Sequence, residues 1–426
     1  MGAWPSLSNL VFALIFTAGV GYFTYNMRRL IVLIKKGRPV GPVGHRKQRW
    51  RNVLYIALGQ SKLIKRPVSG LMHLLVYLGF IIINIEVLEI VIDGLFGTHR
   101  IFQALGPMYG VLIGTFEVLA VLVLVAVIVF WMRRNALRIK RFLSPEMKGW
   151  PKTDANLILY FEMVLMGLFL MMNATDLSFQ QMNQGNWISG SIYTLIEHWP
   201  AQQLHIVERF CWWAHIIGIL GFLNYLYFSK HLHILLAFPN VFYGRVNPAG
   251  QFENLDSVTE QVKLMMDPSA DPYAAQPEGT VPDKFGASDV TDLTQVQLLN
   301  AMTCTECGRC TSECPANQTG KLLSPRKIMM DTRDRLTALP KEGDKKQLLD
   351  DYISREELWA CTTCNACVEA CPVSIDPVSI IMAMRQYLVM EQSAAPSELN
   401  VTMSNIENNA APWPFNQQDR GNWINE

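Results

Sequence analysis

Residues Ala301–Gln318 read AMTCTECGRCTSECPANQ, and residues Ala360–Ser374 read ACTTCNACVEACPVS. Each stretch contains C-x2-C-x2-C-x3-C-P, as Cys304, Cys307, Cys310, Cys314 and as Cys361, Cys364, Cys367, Cys371. Together they take eight of the nine cysteines in the chain. Structural zinc takes four ligands, usually on paired C-x2-C arms, whereas three close thiolates and a remote fourth before proline form the bacterial [4Fe-4S] pattern. In two-cluster proteins of this kind the fourth cysteine ligates the other cluster. The spacing therefore assigns one [4Fe-4S] cluster to Cys304, Cys307, Cys310 and Cys371, and a second to Cys361, Cys364, Cys367 and Cys314.

The rest of the chain is not built like a small soluble ferredoxin. Half of its 426 residues are hydrophobic, 17% are charged and the mean hydropathy is positive, a composition that calls for membrane spans. A net charge of +1 gives no electrostatic case for a nucleic-acid partner. Apolar runs long enough to cross a bilayer, about 20 residues each, lie near Leu10 to Tyr25, Ser69 to Leu95, Tyr109 to Trp131, Asn156 to Met172 and Ile206 to Phe228. The first lacks a basic leader and is followed by MRRLIVLIKKGR, which separates it from a signal peptide. Lysine and arginine crowd the loop from Arg28 to Arg66 and the stretch WMRRNALRIKR, while the loops around Gly97 and Asn183 carry almost none. By the positive-inside rule the basic loops are cytoplasmic. Five spans then put the N-terminus outside and the cysteine motifs in the reducing cytoplasm, where thiolates ligate metal rather than pair as disulfides.

The expected fold is mainly α: a five-helix transmembrane bundle over 1–238, followed by a cytoplasmic α-helical ferredoxin domain with two [4Fe-4S] clusters over 294–392. Between them, 239–293 is rich in proline, glycine, alanine and aspartate and reads as a linker. Between the cysteine motifs the residues are helix formers, which excludes the small βαβ ferredoxin. The polar tail, 393–426, carries Trp413 and Trp423, which a disordered tail rarely needs, and reads as a contact for a partner.

Three of the eight histidines fall on spans or their extensions: His73 on the second, and His215 and His233 on HIIGILGFLNYLYFSKHLH. At 100° per residue the 18 steps from His215 to His233 make five whole turns, so both face the same way, whereas His231 points almost oppositely. The second span starts at the cytoplasmic side and the fifth ends there, so His73 and His233 share a level. They are an axial pair for one haem b. His215 lies in the outer leaflet and needs a partner on another helix for a second haem, but the second span offers Ile83 and Asn84 there. Carboxylates inside spans are functional candidates because of their insertion cost. Glu86, Glu117 and His215, at one depth, are together candidates for a proton-coupled site, His215 serving protons or quinone if it holds no second haem. Glu162 in the inner half, with His231, is a candidate proton donor to quinone.

On these residues the chain resembles the heterodisulfide-reductase and nitrate-reductase membrane-subunit families. The five-span region, with WWAHIIGILGFLNYLYFSKHLHILLAFPN, is similar to the gamma subunit of respiratory nitrate reductase, a di-haem cytochrome b. That resemblance implies haem ligands at His73, His215 and His233. From FGASDVTDLTQVQLLNAMTCTECGRC onward the chain resembles the C subunit of heterodisulfide reductase and glycolate-oxidase-type iron–sulfur subunits. Relatives often carry a further domain of cysteine-rich CCG repeats, yet no cysteine follows Cys371. The resemblance thus implies a cytoplasmic partner subunit with a CCG-type domain or a flavoprotein, and a prokaryotic cytoplasmic membrane as the location. No nucleotide-binding loop or catalytic nucleophile stands out. The expected function is electron transfer between the partner and membrane quinone, the quinone being the substrate. A redox-driven ion transporter and a membrane-anchored iron–sulfur sensor or scaffold are the alternatives.

Overall fold

Five apolar runs become long helices in the computed structural model, which describes residues 6–41, 43–248, 250–252, 256–269, 284–339 and 345–425. They are Leu7–Ile34, Pro67–Phe96, Pro107–Asn135, Trp150–Thr175 and Ala201–Tyr225, called the first to fifth spans below. All five are long and apolar enough to cross a membrane. The first four outlast at both ends the apolar runs that announced them, because flanking residues cap them rather than end them, whereas the fifth begins before its run and stops short of its end. Ser6 accepts from the Asn9 backbone at the head of the first span, prolines stand in the first turn of the second, third and fourth, and Gly97 (φ 72°) closes the second.

The spans pack as a ring: second on third, third on fourth, fourth on fifth, fifth on first, and first back on second. Small residues set the closest approaches. A Cβ on Gly94 would lie 2.6 Å from the Phe12 ring, and a Cβ on Gly79 would collide with Val123. Outward-facing Leu14, Val32, Leu71, Val111, Val164 and Phe210 are exposed, as lipid-facing positions must be without a bilayer around them.

The fifth span does not continue as one helix. It ends at Tyr225, passes through two 3-10 turns, Leu226–Phe228 and Lys230–Leu232, and restarts as His233–Tyr243. The break falls at Ser229, whose φ and ψ (−117°, 150°) are extended and whose side chain accepts from the His231 backbone. The whole-turn relation between His215 and His233 therefore does not hold, and the opposed direction expected of His231 is corrected below.

The helix His233–Tyr243 also crosses the expected domain boundary at 238, burying Asn240 and Val241. Asp256–Met266 is helical, while 249, 253–255 and 270–283 of the expected linker lie outside the described residues. The packed cluster-bearing body starts before residue 294: Ala287, Val290 and Leu293 are fully buried. Its main helices are Gln295–Thr303, Pro325–Ala338 and Pro377–Met390, which meet through Leu298, Ile328, Leu336, Ile380, Met384 and Leu388. Among the described residues β-structure amounts to isolated bridges. The tail helix Ser397–Asn409 buries none of its side chains, and Trp423 is 73% exposed.

This body sits against the end of the bundle that carries the basic loops. The Arg38 backbone exchanges hydrogen bonds with Leu293 (2.8 Å) and Gln295 (3.0 Å). Asn240 Nδ2 donates to the Val373 carbonyl at 2.8 Å. Arg326, fully buried, donates to Glu146 at 2.6 Å and to the Arg141 carbonyl at 2.7 Å.

Candidate metal centres and the histidine group

Each cysteine motif builds its loop in the same way. The first cysteine follows a helix, a residue at positive φ turns the chain (Glu306 at 56°, Thr363 at 55°), and a second such residue (Gly308 at 71°, Asn365 at 58°) opens a short helix. The short helices are Arg309–Glu313 and Ala366–Ala370. They pack on each other, and this pairing brings the last cysteine of one motif to the first three of the other. The thiols around Cys310 are Cys304, Cys307, Cys371 and Cys367. Those around Cys361 are Cys314 and Cys364, and Cys367 faces Cys361 and Cys314. A cavity is lined by Cys304, Cys307, Cys310, Cys367 and Cys371. Cys371 thus lies near Cys307 and Cys310 of the first motif, and Cys314 near Cys361 and Cys367 of the second.

The chemistry of these thiols suits a cluster. Burial pushes Cys304 up to about 12, and burial with Cys307 nearby pushes Cys371 up to about 11, so both stay protonated until the positive charge of bound metal draws the protons off. Among the described residues no three His, Cys, Asp or Glu side chains converge on a single metal ion. Zinc would need four ligands at about 2.0–2.3 Å from one point; these thiols stand around a gap. Cys364 is the exposed member of its quartet, whereas Cys304 and Cys314 are buried.

The histidines gather at the junction between the bundle and this body. The rings of His73 and His233 have centroids 6.2 Å apart, and His231 lies 5.4 Å from His233. The helix break brings His231 into the group, against Phe222 (5.3 Å), which corrects the expectation that it points away. Burial, with His233 and His73 close by, pushes His231 down to about 3, so it is neutral. His73 Nδ1 meets Gln60 Oε1 at 3.0 Å, and His233 Nδ1 meets the Lys230 carbonyl at 3.2 Å. Both acceptors require the proton on Nδ1, which leaves each Nε2 lone pair free. That is the outer-shell arrangement of metal-bound histidines. His73 and His233, with free Nε2 atoms on neighbouring rings, are the residues that would hold one metal between them. The residues present therefore fit a bis-imidazole iron.

Residues of the first cysteine motif hold the chain on both sides of this group. Glu306, between Cys304 and Cys307 and 3% exposed, is ion-paired to Lys230, one turn before His233, and to Arg333 at 2.7 Å. Burial alone would raise the Glu306 carboxyl, but Lys230 and Arg333 outweigh it and hold it below the usual range. Lys230 also donates to the Pro151 carbonyl at 2.7 Å, and its backbone donates to Asp154 at 3.1 Å. Arg309, between Cys307 and Cys310, donates to the Leu63 carbonyl (3.1 Å) and Ser69 Oγ (3.4 Å), just ahead of His73. None of Gln60, Lys230, Glu306 or Arg309 carried a sequence signal beyond its nearness to a cysteine or histidine. Asn26 was missed as well: it is 1% exposed in the C-terminal half of the first span, with neither amide atom partnered.

The other candidates are divided. Glu86 is buried with Oε2 unpartnered, and Arg100, Glu89 and Glu117 are its charged neighbours. Glu117 accepts from the backbones of Ile188 (2.8 Å) and Ser189 (3.0 Å) and from Asn173 (3.1 Å), closing the start of the helix Ser189–Ile196. His215 lies instead against Phe169, 6.2 Å between centroids, with Nδ1 unpartnered. Glu117 is thus one of the charges that act on Glu86, while the ring neighbour of His215 is Phe169. Ile83 is buried, and Asn84 is exposed, donating to the Phe80 carbonyl of its own helix. Glu162 is half-buried on the fourth span, and the charged groups around His73 and His231 are histidines and Arg309, not Glu162.

Fold and site together define a helical iron–sulfur protein carried on five apolar helices. Residues 297–372 match the family described as the 4Fe-4S dicluster domain. The chain is similar to a probable iron–sulfur-binding oxidoreductase of Bacillus subtilis, 29% identical over 99% of this chain and 61% of that protein. It is also similar to the EtfAB:quinone oxidoreductase of Syntrophomonas wolfei, 25% identical over 87% of this chain and 53% of that protein. The cluster-bearing part is similar to a heterodisulfide reductase component of Methanosarcina acetivorans, the C subunit of its ferredoxin/F420H2-dependent CoB–CoM enzyme, 31% identical over 28% of this chain and 66% of that protein. The chain spans 61% and 53% of the first two relatives. No solved structure matches it. The homologues and the matched domain support an iron–sulfur electron-transfer role.

Proposed function

We propose that the chain is a membrane electron-transfer subunit that relays electrons between a cytoplasmic oxidoreductase partner and the quinone pool. Cys304, Cys307, Cys310 and Cys371 would hold one [4Fe-4S] cluster, Cys361, Cys364, Cys367 and Cys314 the other, and His73 with His233 a haem b. When bound, these groups supply one-electron steps at potentials that ligands, hydrogen bonds and burial tune. The protein's part is to fix the ligands and keep water out. Gln60 and the Lys230 carbonyl hold the protons of the two imidazoles on Nδ1. Lys230 with Glu306, and Arg309 with Leu63, hold the first cysteine loop against both histidine-bearing segments. Exposed Cys364 marks the end at which an outside partner would approach.

The observation that carries this reading is the His73–His233 pair, 6.2 Å between centroids, with both Nδ1 atoms engaged. Relatives named as an iron–sulfur-binding oxidoreductase and a quinone oxidoreductase support the direction of the assignment. The test is a dithionite-reduced minus oxidised optical spectrum of the purified chain, with pyridine-haemochrome quantitation and a His73→Ala control. One haem per chain, lost in the variant, is the expected result. Absence of haem from a chain that retains its iron–sulfur absorption would discard the cytochrome part. The carboxylates Glu86, Glu117 and Glu162 belong to this proposal as proton-handling residues. Quinone turnover unchanged in their glutamine variants would remove them from it.

A further inference from the structure

The segment between the first and second spans is more than a connector. Residues Arg46–Asn52 form an α-helix that runs without interruption into the π-helix Val53–Leu58, a rare conformation that concentrates at functional sites. Two stripes lie side by side along it. Trp50, Leu54 and Leu58, four residues apart, are 60%, 58% and 41% exposed. Beside them Lys47, Arg51 and Tyr55 repeat at the same interval, with Arg46 next to Lys47, and the Arg51 guanidinium stacks on the Tyr55 ring at 5.6 Å. A helix with an aromatic and aliphatic face and a lysine and arginine face belongs in the plane of a membrane surface.

The segment is fixed in place. Arg49, on the protein side, donates to the carbonyls of Gly44 (2.8 Å), Phe242 (2.9 Å) and Gly244 (2.7 Å), and Trp50 packs edge-on against Phe242 at 5.1 Å. Val53 and Ala57 are buried against Val241. With Arg49 committed to carbonyls, the remaining cations are free to face outward. Among the described residues no carboxylate pairs with Arg46, Lys47 or Arg51. With His45, Gln48, Asn52 and Tyr55 they line an open hollow of about 720 Å³ on the surface.

From this geometry we infer a binding site for the headgroup of an anionic phospholipid, in the hollow lined by Arg46, Lys47, Arg51, Gln48 and Tyr55. The cations meet the phosphate and the amide side chains hydrogen-bond the headgroup. Trp50, Leu54 and Leu58 lie alongside the acyl chains. The site rests on the reading of the five helices as membrane spans, which places this segment at the bilayer surface. It is independent of the haem assignment, although the same π-helix leads to Gln60, the partner of His73 Nδ1.

The test uses the full chain in neutral detergent, titrated with phosphatidylglycerol and with phosphatidylcholine of equal chain length, binding being read by native mass spectrometry. Phosphatidylglycerol is expected to bind at least about tenfold more tightly, since each basic residue at a membrane surface adds to the attraction for anionic lipid. The triple variant Arg46→Gln, Lys47→Gln, Arg51→Gln should bring the two lipids to parity. Removing as many charges elsewhere on the same side, in Lys140→Gln, Lys148→Gln, Lys152→Gln, should leave the preference intact, as should the charge-conserving pair Arg46→Lys, Arg51→Lys. Unchanged iron–sulfur absorption in each variant shows that the chain has folded. Equal affinity for the two lipids in the natural chain would overturn the inference. So would an equal loss in the control triple, or displacement of the lipid by inorganic phosphate, which would mark a site for a free anion.

Discussion

Cys371 ends the second motif yet stands beside Cys307 and Cys310 of the first, so single substitutions separate the two quartets. Cys371→Ser should abolish the electron paramagnetic resonance signal of the cluster tied to Cys304, Cys307 and Cys310, leave the other, and lower bound iron by about four atoms, one cubane. Cys314→Ser should do the reverse. Loss of the same signal in both variants would show that the fourth ligands do not cross. Gln60 is informative at the same scale. It is buried at φ 49°, held there by the turn that follows the π-helix, and its carbonyl oxygen is the acceptor for His73 Nδ1. Removing an outer-shell partner of a metal-bound histidine typically costs about 10–100-fold in affinity. Gln60→Leu should therefore leave the chain folded but lower its haem content after dilution, measured as pyridine haemochrome. A Gln60→Leu chain that keeps haem as firmly as the natural one would mean that His73 needs no such partner.

Among the elements, the loop between the third and fourth spans clasps the cluster-bearing body through buried charges. Arg326 is fully buried, Glu146 accepts from its Nη2 at 2.6 Å and from Ser324 Oγ at 2.8 Å, and a Cβ on Gly308 would lie 2.5 Å from the Arg326 guanidinium. Removing one partner of such a buried pair costs about 3–5 kcal/mol, because the other is left uncompensated. Glu146→Ala should lower the thermal midpoint accordingly and expose the cleft to limited proteolysis near residues 140–148. The pair also sets a pH dependence. Burial works against the Glu146 carboxylate, but hydrogen bonding to Arg326 and the Arg326 charge prevail and hold its carboxyl below the ordinary 4.5. A carboxyl lowered by folding contributes its stability fully above that ordinary value and loses it as pH falls through the folded value. Acid unfolding of the natural chain should therefore steepen below about pH 4.5, and Glu146→Gln should flatten that limb while leaving the neutral limb parallel. The helix break at Ser229 is the element that sequence did not disclose. YLYFSKHLH offers neither proline nor glycine, and the turn exists because Asp154 on the fourth span accepts from the Tyr225 hydroxyl at 2.6 Å and from the Lys230 backbone at 3.1 Å. A partner distant in sequence makes that break, so helical projection placed His231 on the wrong side.

For the whole molecule, what could be read from sequence was whatever repeats or runs locally. The doubled cysteine spacing and the five apolar runs are patterns within one segment, and the fold follows them. How the cluster-bearing body meets the bundle depends on single side chains far apart in sequence, such as Arg309 with Leu63 and Asn240 with Val373, and no local pattern announces them. The most consequential of these contacts joins Lys230 to Glu306. Lys230 is 9% exposed and Glu306 3% exposed, and between them they tie the turn before His233 to the loop between Cys304 and Cys307. The alignment of the two proposed redox centres therefore depends on a pair of desolvated charges. Lys230→Met leaves Glu306 with Arg333 alone and should destabilise the chain by about 3 kcal/mol, as breaking one buried pair does. Glu306→Gln should cost a similar amount by stranding Lys230. If the two charges serve each other, Lys230→Met with Glu306→Gln should cost much less than the two losses added, a coupling of about 1–3 kcal/mol in a double-mutant cycle on thermal or denaturant unfolding. Simple additivity would mean that Arg333 and Asp154 hold the two residues separately and that the junction is fastened elsewhere. Strong coupling would make this pair the hinge on which the cluster loop and the histidine turn keep their fixed separation.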